Sequence, residues 1–393
     1  MRRNVLLVIF LCLLAFNIGF GINIRRNQEK LDDFFRIMEL VKAVYVEEKS
    51  DDELINLAMK GMVSGLDPYS HLFIGIEAGA VAEGFSRDKT YNEGVGISIG
   101  FFSDSIIVTE AFEGYSASNA GVKVGDRITK VDGKLVRGLT LGQVAGLIRG
   151  KEGTAVLIEF EDSHSKKTNT FSLVRQRIKV NSVVYKDLEG DNVYIKIRSF
   201  NSETKGEFFS SLLTAKSRSG LIIDIRDNMG GDLDTVVAML GYILGPDKLV
   251  INTKGRASND EFRTEKSASI PLEHPKKIVV LVNKMSASAS EIMAGTLKHY
   301  KLATIIGTQT FGKGVAQFVI NPDSSNKPPN ESPRLLLVIT SARYYLPDGS
   351  DINSIGISPD IEVNQADDFK GYEYLTAKDA QFQAALEFLR KNN

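Results

Sequence analysis

Ile278-Val279-Val280-Leu281-Val282-Asn283-Lys284-Met285-Ser286-Ala287-Ser288-Ala289-Ser290-Glu291-Ile292 is the stretch whose reading decides the fold. An unbroken apolar, largely β-branched run of this length reads as a strand. Small residues follow it as a turn. Ser288-Ala289-Ser290-Glu291 then has the form of a capping box opening a helix that runs to His299. Working outward, the same strand-then-helix unit recurs. Val193–Ile197 precedes a helix at Thr204–Thr214, and Leu221–Ile225 precedes one at Leu233–Leu244. Ala303–Ile306, Gln317–Ile320 and Leu335–Ile339 read as further strands, with a last helix near Ala377–Arg390. From Val180 onward this alternation predicts an α/β core.

The chain has 393 residues, enough for two or three domains. Lys plus Arg is 48 and Asp plus Glu is 49, which argues against a protein built to grip nucleic acid through its phosphates. One Cys rules out an internal disulfide framework, and the 4 His are scattered. With no HExxH and no CxxC, the expectation is an enzyme without metal or other cofactor.

Before the core come two different regions. Basic Met1–Arg3, the apolar run Asn4–Ile24 and the pair Arg25-Arg26 predict an uncleaved signal-anchor over 1–25. The remainder is then expected on the extracytoplasmic, periplasmic side, tied to the membrane. Leu11 before Cys12 is too bulky for a lipoprotein site. Leu31, Phe34, Phe35, Met38, Val41 and Val44 recur at helical spacing. Residues 26–75 therefore read as a helical arm ending at Asp67-Pro68, a packing or homodimerisation element. Gly75–Gly84 reads as a small, Gly-rich crossing segment, with 76–84 joining the core.

Between 85 and 177 the character changes to short β-like runs. The residues that matter are Gly94-Val95-Gly96-Ile97, the string Ala120-Gly121-Val122-Lys123-Val124-Gly125-Asp126-Arg127-Ile128, Val131-Asp132-Gly133, and Leu147-Ile148-Arg149-Gly150. A Gly-rich loop before a strand can aim backbone N–H groups at a carboxylate. The strand's free edge can accept an extended peptide as an added strand. Leu147 and Ile148 are candidates for an apolar pocket, and Arg149 for a regulatory relay. This block resembles a PDZ domain, which implies binding of protein or peptide C-termini through Gly94, Val95, Gly96 and Ile97.

In the core, a hydroxyl at a helix N-terminus sits in a field that favours developing negative charge. Ser288 has that position, and Ser286 and Ser290 are rival hydroxyls. A Ser-His-Asp triad is poorly supported, because His299 lies at the far end of the helix that Ser288 opens. The alternative base is a lysine. Its pKa must fall from about 10.4 to near neutrality, roughly 4 kcal/mol in favour of the neutral amine, which burial can supply. Lys313 stands in Phe311-Gly312-Lys313-Gly314, a Gly-flanked turn between apolar strands.

Ser286-Ala287-Ser288-Ala289-Ser290-Glu291, Phe311-Gly312-Lys313-Gly314 with Gln317, and Asp224-Ile225-Arg226-Asp227-Asn228-Met229-Gly230-Gly231 together resemble the carboxy-terminal processing, or tail-specific, proteases. Met229 departs from that family's usual proline. The resemblance implies Ser288 as nucleophile, Lys313 as general base and Gln317 as the residue that orients it. It implies an oxyanion hole from the N–H of Ala289 with that of Gly230 or Gly231. The implied fold is α+β and multidomain: an α/β crotonase-like protease core, an inserted β-rich PDZ domain at 85–177, and the helical arm, with the core filling 178–393. The expected function is a serine endopeptidase that holds substrate tails with free, apolar C-termini and cuts through an acyl-enzyme. The alternative is a catalytically inactive PDZ adaptor of the same fold.

Three other signals carry less. Gly307–Lys313 follows a P-loop until Gly314 stands where Ser or Thr must hold Mg²⁺. Ser163-His164-Ser165-Lys166 matches Ser-x-x-Lys but reads as a solvated hairpin tip. The Asn228–Gly231 loop is similar to that of enoyl-hydratase-like folds, which do not supply Ser288 and Lys313.

Overall fold

The computed structural model describes residues 28–391 apart from 87–90, 103–104, 164, 257, 269–276, 323–332 and 371–372. The expected signal-anchor, His164, His274 and most of the Asn321–Pro333 loop lie outside the described residues. No helix among the described residues is long and apolar enough to cross a membrane. The chain divides into two units. One holds the N-terminal residues to Phe85 with Gln317–Thr340; the other holds Ser86–Ala316 with Ser341–Asn393.

The larger unit contains the α/β core. Its six-stranded sheet runs Val183–Leu188, Asn192–Ile197, Gly220–Asp224, Lys277–Val282, Ala303–Gly307, Ile361–Glu362. The first pair is antiparallel and every later pair parallel. Period-two alternation sorts its residues onto two faces. Leu221, Ile223, Ile278, Val280 and Val282 pack with the helices Thr204–Thr214, Leu233–Leu244 and Ala289–His299. Ile222, Val279, Leu281 and Ile306 face the helix Ala380–Lys391 through Phe382, Ala385 and Leu389. Both faces are covered, which is why Ile278–Val282 is apolar at every position. Catalytic machinery on such a sheet belongs at the strands' carboxyl ends, where the chain leaves for the helices.

The same unit carries the β-rich middle module. Its six-stranded sheet runs Ile97–Phe102, Ser105–Ala111, Arg127–Val131, Ala155–Glu161, Thr168–Val174, with Lys134–Leu135 against the third. Neighbours are antiparallel, and Ile97–Phe102 is an edge. Asp132 and Gly133 both take positive φ, 47° and 76°, as a tight primed hairpin turn requires. Val108, Ile128, Ile158 and Phe160 fill a core separate from that of the α/β sheet.

In the smaller unit, the helix Asp51–Ser64 is capped by Ser50 and Glu53. Glu53 N–H donates to Ser50 Oγ (3.2 Å), and Ser50 N–H returns to Glu53 Oε2 (2.8 Å). The preceding helix Gln28–Val44 buries none of its residues. After Pro68, Asp67 accepts the N–H groups of Tyr69 (2.8 Å) and Ser70 (2.9 Å), turning the chain into the strand His71–Ile74. That strand pairs antiparallel with Leu335–Val338. The segment expected as a Gly-rich crossing is a helix, Ile76–Ser86. Its Ala and Glu residues are strong helix formers and outweigh two internal glycines.

Candidate active site

The chain leaves the strand Lys277–Val282 through a turn strapped down by its own serines. Ser286 Oγ donates to Ile225 O (2.9 Å) and Ser290 Oγ donates to Asn228 O (2.8 Å). Both serines are fully buried, so both rival hydroxyls are committed to holding the neighbouring loop. Ser288 differs. Its backbone has φ 57° and ψ −117°, a region that non-glycine residues seldom enter. Its side chain is 8% exposed, at the mouth of the helix Ala289–His299. Ala289 N–H, first in that helix, meets no acceptor among the described residues.

Against this turn lies the loop that follows the strand Gly220–Asp224. Asn228 organises it: Nδ2 donates to Ile197 O (3.0 Å), and Oδ1 accepts Gly230 N–H (2.9 Å). Phe200 N–H donates to Gly230 O and Asp232 N–H donates to Phe200 O, so Gly231 sits opposite Phe200 with its own N–H turned away. Gly230 has φ 101°. A Cβ there would stand 2.8 Å from Ala287 O and 2.9 Å from Ser288 Cβ, so only glycine permits this approach. Met229 is 66% exposed, and its departure from proline disturbs no packing.

A buried ion cluster anchors this loop from behind. Arg226, fully buried, donates to Asp224 (2.6 Å) and Asp379 (2.8 Å), with the Tyr374 ring 4.1 Å from its guanidinium. Burial alone would raise Asp224, but Arg226 and Lys196 outweigh it and hold the carboxyl well below its ordinary range. Tyr374 Oη donates to Asp227 Oδ2 (2.8 Å), extending the cluster to the next loop residue.

Glu291 joins the serine turn to the lysine turn. This fully buried carboxylate accepts four bonds. Oε2 takes Ser288 N–H (2.8 Å) and Lys313 N–H (2.9 Å); Oε1 takes Thr310 Oγ1 (2.6 Å) and Gly312 N–H (2.7 Å). The backbone amides of Ser288 and Lys313 therefore lie within 2.9 Å of a single oxygen. Phe311 N–H donates to Ser286 O (3.0 Å), a second tie between the turns. Burial pushes the Lys313 ammonium below the ordinary lysine value. Thr310 and Glu291 escape sequence reasoning as a pair. The capping-box pattern flags Glu291, but as a helix start and not as a bridge to a loop twenty residues away.

Gln317 falls in the smaller unit, where its Nε2 donates to Tyr69 O (2.5 Å). His299 stands at the opposite end of its helix from Ser288, with its ring against Tyr300. Among the described residues no group of three or more His, Cys, Asp or Glu could hold a metal ion.

The middle module has a separate cavity of about 290 Å³ beside its edge strand. Gly94, Val95, Gly96, Ile97, Ile148 and Arg149 all line it. Leu147 does not. It packs partly buried against the module core, while Leu141, Ala145 and Ile148, at helical spacings of four and three, present the lining face. Arg149 is exposed at the rim, just past the helix end. Ile99 and Phe112 add to the apolar wall.

Comparison with known proteins matches this anatomy. The family model for "Peptidase family S41" matches residues 191–363, and that for "PDZ domain" matches 107–162. A carboxy-terminal-processing protease of Bartonella bacilliformis is 36% identical over 361 residues, covering 89% of this chain and 79% of its own length. A "Probable CtpA-like serine protease" of Staphylococcus aureus is 33% identical over 350 residues, covering 88% and 66%. Among solved structures, the photosystem II D1 C-terminal processing protease aligns with a TM-score of 0.50 at 26% identity, covering 88% of this chain and 92% of that one.

Proposed function

The chain belongs to the carboxy-terminal-processing serine proteases of peptidase family S41 and carries a PDZ domain, and from that premise we propose how it cuts. Ser288 is the nucleophile and Lys313 its general base. The observation that carries this is Glu291: one carboxylate oxygen receives the backbone N–H of both residues, fixing the two turns to each other. Neutral Lys313, favoured by burial, takes the proton of Ser288 Oγ as it attacks the substrate carbonyl. The lysine then protonates the leaving amine, and water releases the acyl-enzyme. Ala289 N–H and Gly231 N–H are the oxyanion donors, because Gly230 N–H is already given to Asn228. Gly230 permits the close approach, and Gln317 keeps the orienting role that the family resemblance gives it.

Substrate reaches this site as a protein tail. We read 85–177 as the PDZ domain and 178–393 as a crotonase-like core. The free carboxylate sits at Gly94–Gly96, the last residues add to the edge strand at Ile97, and an apolar terminal side chain enters the 290 Å³ cavity. Arg149, at the cavity rim, is the relay that senses that carboxylate. Ile148→Asp puts a charge in this wall. It is expected to weaken tail binding at least tenfold and raise KM, leaving kcat for a tail-less peptide within about twofold. Titration calorimetry with a tail peptide reads this directly, and unchanged affinity would remove the cavity from the recognition scheme.

Segment 1–25 as a membrane anchor and an extracytoplasmic location complete the reading. The exposed Phe34, Phe35, Ile37 and Leu40 of the first described helix form the homodimer surface. The decisive experiment incubates purified residues 26–393 with an unstructured protein ending in an apolar, free C-terminus, alongside its amidated counterpart. Cleavage of the first and sparing of the second is the expected result. Binding of the tail with no cleavage of either would leave only the adaptor.

A further inference from the structure

Gly230 and Gly231 stand side by side with φ of 101° and 149°. Two consecutive glycines have little conformational preference of their own, so the direction of the Gly231 N–H is imposed by what flanks the pair. On one side Phe200 holds it, donating to Gly230 O and accepting from Asp232 N–H. On the other side the chain arrives from Arg226, which is fixed at every polar atom. Its N–H donates to Asp224 Oδ1 (2.9 Å), and its carbonyl accepts Lys196 Nζ (2.6 Å). Nε and Nη2 donate to Asp224 (3.0 and 2.6 Å). Nη1 and Nη2 donate to the two oxygens of Asp379 (2.8 and 3.0 Å), and Nη1 also to Gln381 Oε1 (3.2 Å). Asp379 lies 153 residues further along the chain, just before the last helix Ala380–Lys391. Fully buried, it also accepts the N–H groups of Leu375 and Phe382 (3.1 Å each) and Gln365 Nε2 (2.7 Å). The same segment makes a second contact with the loop, because Tyr374 Oη donates to Asp227 Oδ2 (2.8 Å). Asp227 in turn exchanges bonds with Asn283 at the entry to the serine turn: its N–H donates to Asn283 Oδ1 (3.0 Å), and Asn283 Nδ2 donates to its Oδ1 (2.8 Å).

We propose that Asp379 is a positioning residue for the oxyanion hole, acting through Arg226, with Tyr374 on Asp227 as the second point of the same clasp. This inference rests on the reading that Gly231 N–H is an oxyanion donor beside Ser288. A buried ion cluster is weak evidence for stability, because desolvation offsets much of its attraction. What it supplies is direction: a planar guanidinium gripped by two carboxylates has one place to sit. The bonds from Asp379 and Tyr374 end on Arg226 and Asp227, past the end of the strand Gly220–Asp224 and just before the glycine pair. Displacing Arg226 carries Asn228 with it, and Asn228 Oδ1 holds Gly230 N–H (2.9 Å). Gly231 N–H then turns away from the point where charge collects on the carbonyl oxygen in the tetrahedral state. The lysine turn is held separately, by Glu291. Loss of the clasp therefore weakens the oxyanion hole and leaves the base as it was.

The test compares Asp379→Asn with wild type in the full chain. The amide keeps the shape but accepts on one oxygen only and turns an NH₂ toward Arg226. On a tail-bearing peptide kcat should fall about 10- to 100-fold, less than outright removal of an oxyanion donor, with KM and tail affinity within about twofold. A short peptide boronic acid with no free C-terminal carboxylate reads the oxyanion hole directly. It adds to Ser288 Oγ as a tetrahedral adduct with an oxygen where the oxyanion forms, and its affinity should fall by the same factor as kcat. The pH at which activity rises should stay in place, since Lys313 sets it. A folded Asp379→Asn with wild-type kcat, or with kcat lost and boronate affinity kept, overturns the proposal. If circular dichroism shows Asp379→Asn to be misfolded, Tyr374→Phe decides. It keeps the ring over Arg226 and removes only the hydroxyl on Asp227. Parallel losses of about three- to tenfold in kcat and boronate affinity support the clasp, and wild-type values of both overturn it. Ser288→Ala, run alongside, separates the two levels. If it still cuts, the nucleophile is misassigned; if it is inert while Asp379→Asn matches wild type throughout, only the clasp fails.

Discussion

Lys313→Met is expected to lower kcat/KM on a tail-bearing protein by at least about 10⁴-fold, the size seen when one member of a nucleophile–base pair is removed. Ser288→Ala should match it, and the double variant should be little worse than either, because the two residues act as one unit. Tail affinity, set in the PDZ cavity, should stay within twofold in all three. The pH dependence gives the sign. Burial lowers the Lys313 pKa from its ordinary 10.5, so wild-type activity should climb with pH as the neutral amine forms. Stability follows the same group. Between the lowered value and about 10.5 the unfolded chain binds more protons than the folded one, so folding is favoured as pH rises across that window. Below it the full cost of a half-buried ammonium is present. Lys313→Met should therefore be more stable than wild type at pH 7, with the advantage gone above about pH 10.5. Denaturant titration at the two pH values measures this. Undiminished cleavage by Lys313→Met would end the base assignment.

Glu291→Gln is the second large effect. The carboxylate accepts Ser288 N–H, Lys313 N–H, Gly312 N–H and the Thr310 hydroxyl. An amide can accept on one oxygen only, and its NH₂ would confront donors where the other oxygen stood. Leaving two buried donors unpaired costs about 2–5 kcal/mol. The turns that carry Ser288 and Lys313 lose their common anchor, and a displacement on the order of 1 Å is enough to cost about 10²-fold in rate. We expect kcat to fall 10²- to 10³-fold, with tail affinity unchanged and cooperative unfolding at lower denaturant. Full activity in Glu291→Gln, with stability lost, would make the residue a helix cap and nothing more. Retention of both would remove it from the site.

Much of this was legible in the chain itself. The run Ile278–Val282 reads as a strand, and the structure shows its residues divided between two helical layers. The edge strand beside Gly94-Val95-Gly96-Ile97 followed from the glycine pattern and the surrounding PDZ-like string. Leu147 was less well read. Two adjacent apolar residues near a helix end look equivalent in sequence, and only the helical spacing from Leu141 and Ala145 selects Ile148 as the wall. Ile76–Ser86 also misled, because glycines suggested a crossing where alanine and glutamate propensity sustained a helix.

What the sequence determined alone was the set of parts: a strand, a small-residue turn, a capped helix, a lysine between glycines, and a module for extended tails. Each follows from local rules of periodicity, capping and backbone freedom, which act over a few residues. Which serine stays available was decided by tertiary structure, since Ser286 and Ser290 are claimed by carbonyls of a loop some sixty residues away. The same holds for the shared Glu291 oxygen. A hydrogen bond depends on where two atoms finish in space, and residues far apart along the chain carry no mark of that until the core has packed.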